Sequence, residues 1–197
     1  MKITTSTPNR FQLSAKPLVA LLLALPLAFS ACKNDDDEPE PEEDNELITT
    51  VTYALTPAGG STAPAATITW EDLDGAGGAA PVITGGPLAL RANTTYTGTI
   101  TLLDKTKNPV ANITEEVATE KEDHLFFYDP TPAGLLTVTR TDRDANNREV
   151  GLVTRLLTTT AATGSLKITL RHQPGVKDGT AGPGDVDVEA TVPVAVQ

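Results

Sequence analysis

One cysteine, one methionine, one tryptophan and two histidines are all that this 197-residue chain holds of those residue types. With Cys32 as the lone cysteine, no disulfide can form within the chain, so its core must hold by burial alone, or with a bound metal. Aromatic residues make up 4% of the sequence, too few to lay out the exposed rings of a carbohydrate platform. Beyond residue 46 the only serines are Ser61 and Ser165, and neither stands in a nucleophile elbow. No glycine-rich phosphate loop joins a strand to a helix. Lys and Arg number 15 against 26 Asp and Glu, for a formal charge of −11. No basic stripe interrupts that balance, which excludes a nucleic-acid binder. Carboxylate pairs occur everywhere in so acidic a chain and carry no weight for glycoside chemistry. The chain reads as a binder, not an enzyme.

The N-terminal segment has no acid at all. Residues 1–31 hold Lys2, Arg10 and Lys16, then an apolar run from Pro17 to Phe29. At about 1.5 Å per residue that run reaches about 20 Å, short of a bilayer core of about 30 Å. A basic start, a short apolar core and small residues before a cut site make a secretory signal. Phe29-Ser30-Ala31-Cys32 resembles a bacterial lipobox, with Phe29 where that motif usually has Leu. The resemblance implies cleavage before Cys32 and lipidation, palmitate included, of its thiol and new amino group. Ordinary signal cleavage near Ala31 is the competing reading.

Residues 32–46 read as the lipidated cysteine followed by an acidic tether. From Lys33 to Glu46 there are nine acids against one lysine. Such a run repels itself, cannot build a core and stays extended. The cluster Lys33, Asp35, Asp36, Asp37 and Glu38 just after the cysteine resembles the surface-export signal of Bacteroidota lipoproteins. The implied location is the outer membrane, facing the cell surface. A lipid anchor facing the periplasm is the alternative, and a plain solvated spacer is the simplest reading of the acids.

Residues 47–197 are one domain's worth of chain. Val51, Tyr53 and Leu55 alternate with Thr50, Thr52 and Ala54; Tyr96, Gly98, Ile100 and Leu102 alternate with four threonines. Ile68 and Trp70 share a face, as do Leu166, Ile168, Leu170 and His172. The last run predicts Val186, Val188, Ala190, Val192, Val194 and Val196 inward, with Asp187, Glu189 and Thr191 outward. Period-two apolar residues opposite threonine mean strands with one buried face. Glycine and proline punctuate between them. The expectation is an all-β Greek-key sandwich of roughly ten strands, resembling immunoglobulin or fibronectin domains. Residues 112–119 fit either a helical turn, with Asn112 and Glu115 as a capping box, or an edge strand. The strand is the preferred reading.

Three stretches, Glu71–Gly78, Glu122–Tyr128 and Leu170–Gly179, resemble landmarks of a family of small Bacteroidota outer-membrane lipoproteins. The likeness covers nearly all of the mature chain and implies an address without a site residue. Some members are described as type 1 periplasmic-binding-fold proteins, but no alternating strand–helix pattern supports that fold here.

Two sets of residues offer metal chemistry. If each strand reverses the last, His124 and His172 gather with Glu122, Asp123 and Asp178 at the pole opposite the tether. Imidazole with carboxylate suits zinc. Alternatively, His172 simply caps the core. Asp72 with Asp74, and Asp142 with Asp144, space oxygens as calcium loops do, although hairpin turns use the same residues. The expected function is a non-catalytic ligand- or partner-binding accessory module on a lipid anchor. Its expected partner is an outer-membrane transporter or another surface protein. The alternative is a structural or adhesive surface domain stiffened by calcium, without a small ligand.

Replacing Cys32 with Ser removes the thiol that lipobox processing needs. The variant is expected in the soluble fraction of lysed cells, with the wild type in the detergent phase. Retention of Cys32→Ser in the membrane would reject the anchor.

Overall fold

A computed structural model describes residues 46–197. The signal segment, Cys32 and the export cluster from Lys33 to Glu38 lie outside the described residues.

Ten strands and one short helix follow in the order β1 (Thr50–Pro57), β2 (Ala66–Glu71), β3 (Val82–Thr84), β4 (Leu88–Leu90), β5 (Thr95–Leu103), α1 (Ile113–Thr119), β6 (His124–Thr131), β7 (Leu136–Arg140), β8 (Val153–Thr158), β9 (Ala162–His172) and β10 (Asp185–Val196). They form a sandwich of two sheets. One has six strands in the order β3-β2-β1-β5-β8-β7, the other four in the order β4-β10-β9-β6. The chain passes between sheets five times, at β3–β4, β4–β5, β5–β6, β6–β7 and β8–β9. The first passage is a kink within one run of chain. Gly85 takes φ +77°, and a Cβ there would lie 2.4 Å from the Thr67 carbonyl oxygen, so no other residue fits the bend.

The alternation read from the sequence sets the inner faces. Val51, Tyr53 and Leu55 of β1, and Tyr96, Ile100 and Leu102 of β5, are buried. They meet Leu166, Ile168 and Leu170 of β9 and Val188, Ala190, Val192, Val194 and Val196 of β10. Trp70 is inward, as its parity with Ile68 requires. Phe126 joins the core, while Phe127 on the other face lies under the Arg140 guanidinium, 5.3 Å from its ring centre.

Two local expectations fail, and both failures shape the site. Residues 113–119 form a helix, not an edge strand. Ile113 and Val117, four apart, both bury on one helical face. Thr114 completes the arrangement, its Oγ1 accepting from the Leu102 amide at 2.8 Å. Asn112 reaches Glu115 side chain to side chain at 2.8 Å, but makes no capping bond to the helix backbone. In β10 the alternation breaks at its start. The register against β9 shifts between Val186 and Val188, with Arg171 opposite the first and Leu170 opposite the second. Asp187 is the extra residue of this bulge. Val186 turns out to solvent, 44% exposed, and the Asp187 side chain turns in.

The helix also inverts the pole assignment. Counting residues 112–119 as a strand adds one reversal, which sends β6 through β10 the wrong way. With α1 in its place, β6 starts beside the start of β1, and Glu46 reaches His124. The histidines therefore lie at the pole where the described chain begins, beside Glu46, not at the far one. Glu46 itself is already packed, so the folded unit begins at or before that residue.

Three loops meet at this pole around Lys177. Its ammonium donates to Asp144 Oδ2 at 3.0 Å and to the Lys121 carbonyl at 2.6 Å. Both side chains of the pair are buried, at 1% and 0% exposure. Asp144 Oδ1 accepts from the Arg148 amide at 2.8 Å, and Arg148 donates to the Lys177 carbonyl at 2.6 Å. Burial alone would raise the Asp144 carboxyl, but the Arg148 amide and Lys177 outweigh it and hold it below the usual carboxylate range. Removing one partner leaves the other charge buried, so Lys177→Met or Asp144→Asn alone should cost about 3 kcal/mol in urea unfolding. The double variant should lose less than the sum of the two by more than about 1 kcal/mol. Strict additivity would show that the pair does not act as a unit.

Candidate functional site

His124 opens β6 and His172 ends β9, and the two residues are direct cross-strand partners. Their rings stack in parallel, 4.7 Å between centres and 8° between planes. The sequence reading brought these two histidines to one pole, and the structure does the same. The acids around them are different ones. Glu122 accepts from the Ala145 amide, Asp123 from the Gly175 amide, and Asp178 from Thr180 within its own turn. The groups that do face His124 are Glu46, Asp187 and the Glu120 backbone.

His124 is fully buried. Its Nδ1 lies 3.0 Å from the Glu120 carbonyl oxygen, which can only accept, so Nδ1 carries a proton and donates it. Nε2 is thereby left to face two carboxylates. Glu46 Oε2 is 3.1 Å away and Asp187 Oδ2 is 3.8 Å away. The Asp187 side chain has no exposed surface, and neither of its oxygens has a hydrogen-bond donor among the described residues.

The charge state of this cluster follows from those distances. Burial pushes the Asp187 carboxyl up to about 7, against the pull of the His124 charge, and Glu46 and Asp185 add to the rise. Burial opposes protonation of His124, but the Glu46 hydrogen bond, the Glu120 carbonyl and the charges of Glu46 and Asp187 together raise it. The cluster thus favours proton retention on both groups.

The oxygen-rich loops are built differently. Asp72 accepts from the Gly75 amide and Asp74 from the Ala79 amide, each stitching its own turn. Asp142 accepts from the Gly151 and Leu152 amides. Asp144 is taken by Lys177. Asp72 with Asp74, and Asp142 with Asp144, act as turn-formers and anchors for the protein's own donors. Among the described residues, two groups of side chains bring three ligand atoms within 4.8 Å of one another. One is Glu46, His124 and Asp187; the other is Glu120, His124 and His172.

Sequence reasoning missed Glu46 and Asp187. Glu46 is the last of nine acids in a run, and nothing marks it out. Asp187 sits on the outward parity of an otherwise regular strand, and only the bulge turns it in.

A second feature lies at the same pole. Leu47, Ile48, Trp70, Leu73, Val186 and Val188 line a groove of about 470 Å³. A neighbouring depression of about 460 Å³ shares Trp70 and continues to Pro81 and Ile83. The groove opens because β4 pairs with β10 only at Val194–Val196, so along Val186–Val192 no described strand covers that edge of β10. Asp72, Asp74 and Glu189 rim it.

No protein-family model, curated protein or solved structure matches this chain.

The cluster sets a pH dependence opposite to ordinary acid unfolding. Asp187 ionises near 3.8 when unfolded and near 7 when folded, so its stabilising contribution is full below about pH 4 and is lost as the pH rises through 7. His124 is raised above 6.5, and its contribution is lost above that value. Glu46, Asp185 and Arg171 are the other charged groups bearing on the pair. In chelator, the melting temperature should fall by several degrees between pH 5 and pH 8. Asp187→Asn should flatten that slope. A wild-type curve that is flat over this interval would contradict the charge assignment.

Proposed function

We propose that the chain is a lipid-anchored outer-membrane module, displayed at the cell surface, that binds a ligand or partner without catalysis. The observation that supports this reading is the groove beside the tether junction. Seven large apolar side chains are exposed among the described residues, and three of them, Leu47, Leu73 and Val186, gather there. Scattered single apolar residues are ordinary on a protein surface, whereas a contiguous patch with a polar rim marks an interaction site. The floor is Trp70, a residue type favoured at the centre of binding patches. The rim is acidic, so the fitting partner is an apolar segment flanked by cations.

The groove's position agrees with an accessory role. It opens at the end of the domain that the tether joins, which brings a bound partner toward the membrane. An outer-membrane transporter or another surface protein is the partner class proposed. The alternative, a structural domain stiffened by calcium, draws no support from Asp72, Asp74, Asp142 and Asp144, whose oxygens serve the protein's own donors.

A photoreactive residue placed at Leu73 in whole cells should capture a discrete envelope protein. The same residue at Val110, equally exposed but outside the groove, should not. No adduct at 73, or identical adducts at both positions, would reject the groove as the binding surface.

A further inference from the structure

We propose that Glu46, His124 and Asp187 hold one divalent transition-metal ion of the zinc class, through His124 Nε2 and one oxygen of each carboxylate. The proposal does not rest on the groove, although Asp187 also borders it, and its test does not involve a partner.

Four observations converge. The ligand atoms are spaced for one small ion: tetrahedral neighbours on zinc, with bonds of about 2.0–2.1 Å, stand about 3.3 Å apart. Here Nε2 lies 3.1 Å from one carboxylate oxygen and 3.8 Å from the other. Second, the tautomer is fixed as metal binding needs it. Nδ1 donates to the Glu120 carbonyl, the usual outer partner of a metal-bound imidazole, which leaves the Nε2 lone pair for the ion. Third, the Asp187 side chain has no exposed surface, its Oδ2 faces His124 Nε2, and neither of its oxygens finds a hydrogen-bond donor among the described residues. A buried carboxylate of that kind is costly unless a cation compensates it. Fourth, the bulge that turns Asp187 inward displaces Val186 into solvent. Two unfavourable exchanges at one bulge are expected where a strand is bent to aim a functional group.

The second cluster, Glu120, His124 and His172, is the weaker candidate. It would need either Nδ1 of His124, which Glu120's own carbonyl already occupies, or a second ion on the nitrogen facing Glu46. His172 instead packs its ring flat against that of His124 and so holds the imidazole plane. One nitrogen with two carboxylate oxygens suits zinc, and its imidazole argues against calcium and magnesium. Three protein ligands leave a fourth position for water or another group. Because Glu46 ends the acidic tether, the ion would fasten the tether's last residue to β6 and β10.

The test is zinc titration of the detergent-solubilised full chain after chelation, followed by calorimetry and thermal melting. One zinc per chain is expected, with a rise in melting temperature that calcium does not reproduce. Glu46→Gln and Asp187→Asn should each weaken binding at least tenfold. Asp187→Asn removes a buried charge at constant size, so it should fold at least as well as wild type in chelator, and its loss of zinc cannot be ascribed to unfolding. His172→Phe keeps the stacked ring without nitrogens and should retain zinc. Absence of stoichiometric binding by the wild type would overturn the proposal. So would undiminished binding by Asp187→Asn, or loss of binding in a folded His172→Phe.

Discussion

The Lys177 ammonium is the point on which this pole of the molecule depends. With one cysteine the chain cannot staple its long loops, and the loops at 120–123, 142–149 and 173–184 contribute few apolar side chains. A cation held away from water must be matched, and Asp144 with the Lys121 carbonyl matches it. Each loop is thereby fixed by a group on another loop. Gly175 and Gln173 bond to Asp123, and Ala145 bonds to Glu122, which places the start of β6 against the end of β9. The stacking of His124 on His172 follows from that placement. A buried ion pair adds little net stability over an apolar pair of the same shape, but it defines one geometry. Here the geometry is that of the histidine cluster beside it.

Most of the architecture was legible because one face of each long strand is buried and the other is solvated. Tyr53, Tyr96, Ile168 and Val192 all fall where period two puts them. The same rule has no power over residues 112–119. Ile113 and Val117 are four apart, and a spacing of four lies on one face of either a helix or a strand. Only the tertiary fit decides, through Thr114 satisfying the Leu102 backbone. That one ambiguity carried the pole assignment with it, because direction along a chain of antiparallel strands is a parity. The gathering of His124 and His172 at one pole survived, since both lie after the misread segment.

The site was less legible than the fold for a related reason. Period two predicts which residues are buried only while register is constant. At Val186–Val188 the register slips, and the rule then predicts the opposite of what the backbone does. No residue type in Gly184-Asp185-Val186-Asp187-Val188 announces the slip, since Asp and Val alternate through it without interruption. Glu46 was hidden by its company: in a run of acids, one docked carboxylate looks like its solvated neighbours.

The bulge also explains why groove and cluster share one pole. A regular β10 would turn Val186 into the core and Asp187 into water, closing the groove's apolar wall and emptying the cluster of its second acid. The observed strand does the reverse at both residues, so the exposed Val186 and the buried Asp187 are two results of one backbone irregularity. A folded domain is stable by only about 5–15 kcal/mol, so an apolar side chain in water beside a donorless buried carboxylate is a substantial fraction of the whole. The core does not require it, because β10 is regular from Val188 onward and buries every second residue there. What the irregularity produces is an exposed apolar side chain lining the groove on one side and a carboxylate facing His124 on the other. Both involve the first described residues, Glu46 in the cluster and Leu47 in the groove. Any event that engages one of them, a docked segment against Val186 or a cation between Asp187 and Glu46, therefore acts on the same short piece of β10.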